Sequence, residues 1–215
     1  MAEAMKGGAP VPMGFSNVEE DAEIERAEIY GLLARLWLSP PDAELLQQFA
    51  VAVTEAPVQG AFLEEPWQAL VRALRETTVD AARAEFEALF HSTGKAEVFP
   101  YGSYHLVGAL NERPLVALRA DIAALELASS AAEGETEDHV SFLFEVMRYL
   151  IAGDDLSVCN LEQQRRFFRA HVQTWVGTSL CEGVEANQKA KTYAAVARFC
   201  RSFIEVETQG FDMIE

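Results

Sequence analysis

Glu133, Glu135, Glu137 and Asp138 crowd the stretch just before an apolar run that opens at Val140, and His139 sits at the junction. Carboxylates and imidazoles in that density suit three chemistries: metal ligation, acid–base catalysis and recognition of a cation. A di-iron bundle needs a Glu-x-x-His pair on each of two helices. The residues three before His91, His105, His139 and His171 are Ala88, Gly102, Thr136 and Phe168, so that pair does not occur. Glu87 with His91 and Glu135 with His139 are four apart and could clasp a metal, but such pairs arise readily by chance in acidic helices. Hydrolysis has no support either, because the chain has no G-x-S-x-G elbow and no phosphate-cradling glycine loop. Adjacent residues such as Asp138 and His139 point in different directions at a helix start, and no nucleophile accompanies them. No catalytic residue, metal or cofactor is therefore assigned. Two readings of the acidic stretch stay open: Thr136 or Asp138 acts only as a helix cap, since acids there complement the positive end of the helix dipole, or the stretch is a recognition loop.

The overall charge bears on that choice. Seventeen Lys and Arg against 34 Asp and Glu give a formal net charge of -17, which repels nucleic acid and anionic membrane and favours basic partners. No apolar run approaches the ~20 residues a bilayer requires, and the first 18 residues hold no hydrophobic block, so neither a membrane span nor a secretory signal is expected and the chain is placed in the cytoplasm. Cys159, Cys181 and Cys200 are odd in number and lack C-x-x-C spacing, which argues for reduced, partly buried thiols instead of a disulfide framework or zinc site.

The elements that position these groups are helices. Residues 1–18 lack periodicity and read as a disordered lead-in, and 19–215 as one domain. Ile29, Leu32, Leu33, Leu36 and Trp37 form one stripe, stopped by Ser39-Pro40-Pro41 because proline lacks the N–H and restricts its predecessor. Asp42 caps a second helix, a third starts around Glu64, and a fourth covers 78–91. Residues 92–113 then break the pattern as a long loop carrying Phe99, Tyr101, Tyr104 and His105, a second candidate surface. Further helices are expected from Pro114, from Val140, from Ser157 to Leu180, and from Glu185 to Glu207. Apolar positions follow a period near 3.6 throughout, so the fold is predicted to be all-α, a single-domain helical bundle. Trp37, Trp67 and His171 read first as core residues, whereas packing and exposure are equally open for Tyr101, Tyr104 and His105.

Four ordered stretches resemble the TorD/DmsD/NarJ family of cytoplasmic molybdoenzyme maturation chaperones. They are IYGLLARLWLSPPDAELL at 29–46; AEFEALFHSTG at 84–94 followed by VFPYGSYHL at 98–106; EDH running into the helix at 137–150; and RRFFRAHVQTWV at 165–176 with FIEVE near the end. The resemblance implies a TorD-like helical fold and a non-enzymatic chaperone. It would bind the twin-arginine signal peptide and the apo form of a molybdoenzyme catalytic subunit, assist molybdopterin insertion and delay export, as a monomer or homodimer. Asp138 and His139 match the family's Asp-His pair, and Ser103 with Tyr104 its aromatic loop motif. Glu137 stands where the family usually has Pro, and Gly102 where it usually has an acid. A twin-arginine peptide offers guanidinium groups and then an apolar stretch, which suits carboxylates beside aromatic rings. On this reading Glu135, Glu137 and Asp138 receive the arginines, and Tyr101 and Tyr104, with Trp37 or Tyr30, line the apolar part; His139, Ser103 and His105 complete the surface. Two other classes compete: a small helical metalloprotein or enzyme using His139 with His105 or His91, and a general helical adaptor.

Overall fold

A computed structural model describes residues 18–51, 62–91, 96–127 and 135–213; of the lead-in expected over 1–18, residues 1–17 lie outside them and Val18 opens the first helix, and Glu133 lies outside them too. Described elements are helical: α1 (Val18–Leu38), α2 (Ala43–Val51), α3 (Glu64–Glu76), α4 (Val79–Phe90), α5 (Gly102–Val107), α6 (Arg113–Ala124), α7 (Val140–Ala152), α8 (Leu161–His171), a π-helical turn (Val176–Cys181), α9 (Glu182–Glu185) and α10 (Thr192–Met213). Among the described residues no strand occurs, only an isolated antiparallel bridge between Tyr101 and His139. The all-α expectation therefore holds, and no described helix is long and apolar enough to cross a membrane.

The local signals that place the early helices are visible in the bonds. Asp42 accepts from Leu45 N at 2.8 Å at the start of α2, Thr78 caps α4 through Ala81 N at 3.3 Å, and Asn160 caps α8 through Gln163 N at 3.1 Å. These side-chain acceptors satisfy backbone donors that the first helical turn leaves unpaired.

At the centre α1 runs along α7. Gly31 faces the half-exposed Arg148 side chain of α7, which lies over it: a Cβ there would stand 3.1 Å from Arg148 Cδ and would have to shift that side chain by a few tenths of an ångström. Tyr30 packs against Phe144 of α7 and Phe203 of α10, with ring centroids 5.6 and 4.8 Å apart. Its hydroxyl donates to buried Glu207 at 3.0 Å. Arg26 holds the same carboxylate with two donors, at 2.9 and 2.8 Å. A charge removed from water is tolerated only when so paired, and this cluster ties α10 to α1.

Three expectations about boundaries change. The single helix expected from Ser157 to Leu180 is divided: Asn160 caps it late, it ends at His171, and the Trp175 indole N–H donates to the free carbonyl of His171 at 2.7 Å, after which the chain winds into the π turn. α10 starts at Thr192, not near Glu185, because Glu85 of α4 accepts from the backbone N–H groups of Lys191 (2.7 Å), Thr192 (3.2 Å) and Tyr193 (2.8 Å) and so caps its first turn. Glu185 instead belongs to α9 and accepts from Arg201 at 2.8 Å. The loop expected over 92–113 contains the short helix α5, which closes at Gly108 with φ +80°, a conformation glycine adopts without steric cost.

Candidate functional site: the edge between α5 and α7

The chain entering α5 and the chain entering α7 lie side by side. Gly102 N donates to Asp138 O at 2.8 Å and Val140 N to Pro100 O at 2.9 Å, which forms the Tyr101–His139 bridge. The Asp138 side chain then reaches across the same seam. One oxygen accepts the Ser103 backbone N–H at 2.9 Å and the Ser103 hydroxyl; the other accepts the Thr136 hydroxyl at 2.6 Å. Ser103 Oγ in turn accepts from Asn111 N at 3.2 Å, so one buried carboxylate fixes the entry to α5, the turn after it and the acidic stretch together.

This corrects the role expected for Asp138. It is 2% exposed and its oxygens are engaged, so it does not stand open to an incoming arginine; it caps α5, a helix remote in sequence. Nor do Thr136 or Asp138 cap α7. His139 does, its Nδ1 accepting from Ser141 N at 3.2 Å and bonding the Ser141 hydroxyl at 2.6 Å. Burial pushes the imidazole pKa down to about 4, so His139 is neutral at physiological pH and serves as an acceptor.

The other two acids hold separate partners. Glu135 is exposed and accepts a hydrogen bond from the Tyr101 hydroxyl. Burial and then this bond raise the Tyr101 pKa, which keeps the phenol a donor. Glu137 accepts from Arg119 of α6, with Nε at 3.0 Å and Nη2 at 2.8 Å, both on one oxygen, and the bond to Arg119 holds its pKa below the usual carboxylate range.

Tyr101 and Tyr104 are half-buried. Tyr101 meets the His139 ring edge-on at 5.1 Å, and Tyr104 lies 4.5 Å from Phe99. His105 stacks on Trp175 with centroids 5.0 Å apart; its Nε2 contacts Phe99 O and its Nδ1 Ser179 Oγ, each at 2.7 Å. A carbonyl can only accept, so Nε2 carries the proton and Nδ1 accepts from the serine. Burial lowers this pKa too. With both His105 nitrogens occupied, and His139 turned to Ser141, the pairing of these two imidazoles expected for a metalloprotein is not formed. Glu135, bonded to Tyr101, likewise makes no clasp with His139.

Tyr30 and Trp37 do not line the apolar part of the edge, and the first reading of Trp37 as core holds. At 0% and 1% exposure they belong to the core, Tyr30 for the sake of Glu207 and Trp37 against Phe90 at 5.8 Å, and neither lines a surface. The apolar surface comes instead from residues the sequence reading passed over: Leu106 and Val107 on α5 and Leu110 in the turn behind it are all exposed. Their signal in the sequence is a set of aliphatic residues on both sides of Gly108 within a segment without helical period. His171, read as a satisfied core histidine, is satisfied, its Nε2 lying 2.8 Å from Asp121 Oδ2, but it is half-buried at the edge of the core.

What the arrangement offers chemically is an edge with two carboxylates near the surface, half-buried phenol rings and exposed aliphatic side chains on the adjoining helix, stitched by a buried carboxylate. Comparison with known proteins adds three findings. Residues 60–182 match the family model described as nitrate reductase delta subunit. Among solved structures, a protein from Archaeoglobus fulgidus assigned to redox enzyme maturation superposes with a TM-score of 0.50 at 20% identity, covering 92% of this chain and 99% of its own, which shows a shared fold. The comparison with curated proteins gives no match.

Proposed function

The chain belongs to the nitrate reductase delta subunit family, the NarJ/TorD-type chaperones of redox enzyme maturation, and on that premise we propose that it binds the twin-arginine signal peptide and apo form of a molybdoenzyme catalytic subunit. In this reading it acts as a chaperone, not a catalyst: it holds the client while the molybdopterin cofactor is inserted and delays its export. The supporting observation is the Tyr101–His139 bridge, which sets Glu135 and Glu137 beside Tyr101 and the start of α5. Charge-assisted bonds from guanidinium to carboxylate provide the polar part of such recognition, and Leu106, Val107, Leu110 and the ring of Tyr104 suit the apolar segment that follows the arginines. A net charge of -17 favours approach of a basic peptide at low salt.

Roles within the edge divide accordingly. Glu135 and Glu137 meet the arginines, Asp138 and Ser103 hold the geometry, His139 caps α7, and His105 braces α5 against Trp175. Calorimetric titration with a twin-arginine peptide and with the same residues shuffled tests this reading. Tight binding of the intact peptide alone is expected; equal binding of both would favour a general adaptor, and binding of neither would overturn it. Affinity capture from cells grown anaerobically should also recover a large molybdoenzyme subunit.

A further inference from the structure

Of the acids on the edge, Glu137 holds a cation already, and that cation comes from the chain itself. The Arg119 guanidinium directs two donors at one Glu137 oxygen, at 3.0 and 2.8 Å. It therefore lacks the two-oxygen fork that makes the strongest arginine–carboxylate pairs. Arg119 is 54% exposed and Glu137 17%, so the carboxylate sits partly sheltered while the guanidinium stands in water and can swing away. Asp138 is buried with its oxygens engaged, and Glu135 accepts from a neutral phenol. The geometry points to Arg119 as an internal competitor: it occupies the carboxylate on which an arginine of the client peptide would settle, and recognition requires its displacement. This inference rests on the peptide-binding reading above and concerns the regulation of that same edge.

The physical consequence is a modest, tunable threshold. An exposed ion pair is closed only a few times more often than it is open, and a ligand that needs the open form loses affinity by the open fraction, here roughly three- to sixfold. A client arginine reaching both Glu137 oxygens repays that loss; a lone lysine, a point charge without the fork, repays less. The contact thus suppresses casual binding of basic segments more than binding of the fitted one.

The test uses the full chain and one probe, a synthetic peptide with two adjacent arginines followed by an apolar stretch, titrated calorimetrically into wild type, Arg119→Gln, Glu137→Gln and the double variant. Removing Arg119 should tighten binding roughly three- to sixfold, and the gain should vanish in the Glu137→Gln background. Unchanged or weaker binding by Arg119→Gln, with wild type binding, overturns the inference and leaves the functional reading intact. A gain of equal size with Glu137→Gln present shows a general field effect and overturns it as well. Absence of binding by wild type and Arg119→Gln alike defeats the functional reading, and this inference with it.

Discussion

The Asp138 carboxylate accepts both the backbone N–H and the hydroxyl of Ser103, 35 residues earlier in the chain. A single side chain therefore joins the entry of α5 to the entry of α7, holding Ser103 on one side and Thr136 on the other.

Asp138→Ala should accordingly lower stability by about 2–4 kcal/mol, since it strands the two buried Ser103 donors and frees the half-buried Thr136 hydroxyl. Far-UV circular dichroism should change little, because the cores of α1 and α7 do not involve this seam. Ser103→Ala alone should cost less, and the two substitutions together less than their sum, as expected when both remove one interaction. Chemical denaturation of the four proteins measures this; simple additivity would show that the two side chains do not act as a unit.

His139 sets a pH dependence whose sign follows from burial. Its folded pKa, about 4, lies below the ordinary 6.5, so between those values the unfolded chain binds the extra proton. The contribution is fully present above pH 6.5 and is lost as pH falls through 4, to a limit of roughly 3 kcal/mol. His105, lowered in the same direction by burial, adds to the trend. His139→Asn keeps a side-chain acceptor at the cap of α7 but removes the titration, so the pH dependence of its stability should be flatter than that of wild type between pH 6.5 and 4. Parallel curves would assign the titration elsewhere.

The exposed aliphatic residues of α5 make the opposite prediction. Leu106→Ser with Val107→Ser should leave stability within about 0.5 kcal/mol of wild type, since both side chains already face water. Affinity for a twin-arginine peptide should nevertheless fall, by roughly tenfold if the apolar segment settles there. A titration showing unchanged affinity would place the apolar part of the site off α5.

These contrasts explain what the sequence could and could not disclose. Helices α1 to α4 were legible because proline, Asp42 and Thr78 act within a few residues of where they stand, and the apolar stripe of α7 is a local period. The partner of Asp138 was not legible: a carboxylate before a helix reads as that helix's own cap, and nothing local reveals that Ser103 lies closer. The division of α8 from the π turn depends on the indole of Trp175 turning back to His171, again a tertiary choice. Periodicity placed Trp37 on the apolar stripe of α1 and so in the core, where it lies; Tyr30 falls outside that stripe, and its burial against α7 and α10 is a tertiary choice that the α1 sequence does not carry.

Tyr30→Phe removes a donor from the buried Glu207 carboxylate, leaving Arg26 to hold it, and should cost about 1.5–3 kcal/mol, the range for a hydrogen bond to a charged group. Trp37 differs, because its buried indole N–H has no hydrogen-bond partner among the described residues. Trp37→Phe therefore forfeits contact area and leaves a cavity without breaking a polar bond, so its loss should follow the volume removed. Neither substitution should alter affinity for a twin-arginine peptide at temperatures where the variant is folded, because neither side chain reaches the surface. Thermal denaturation and calorimetric titration on the same preparations separate the two effects. A loss of affinity without a loss of stability in either variant would return that residue to the binding surface.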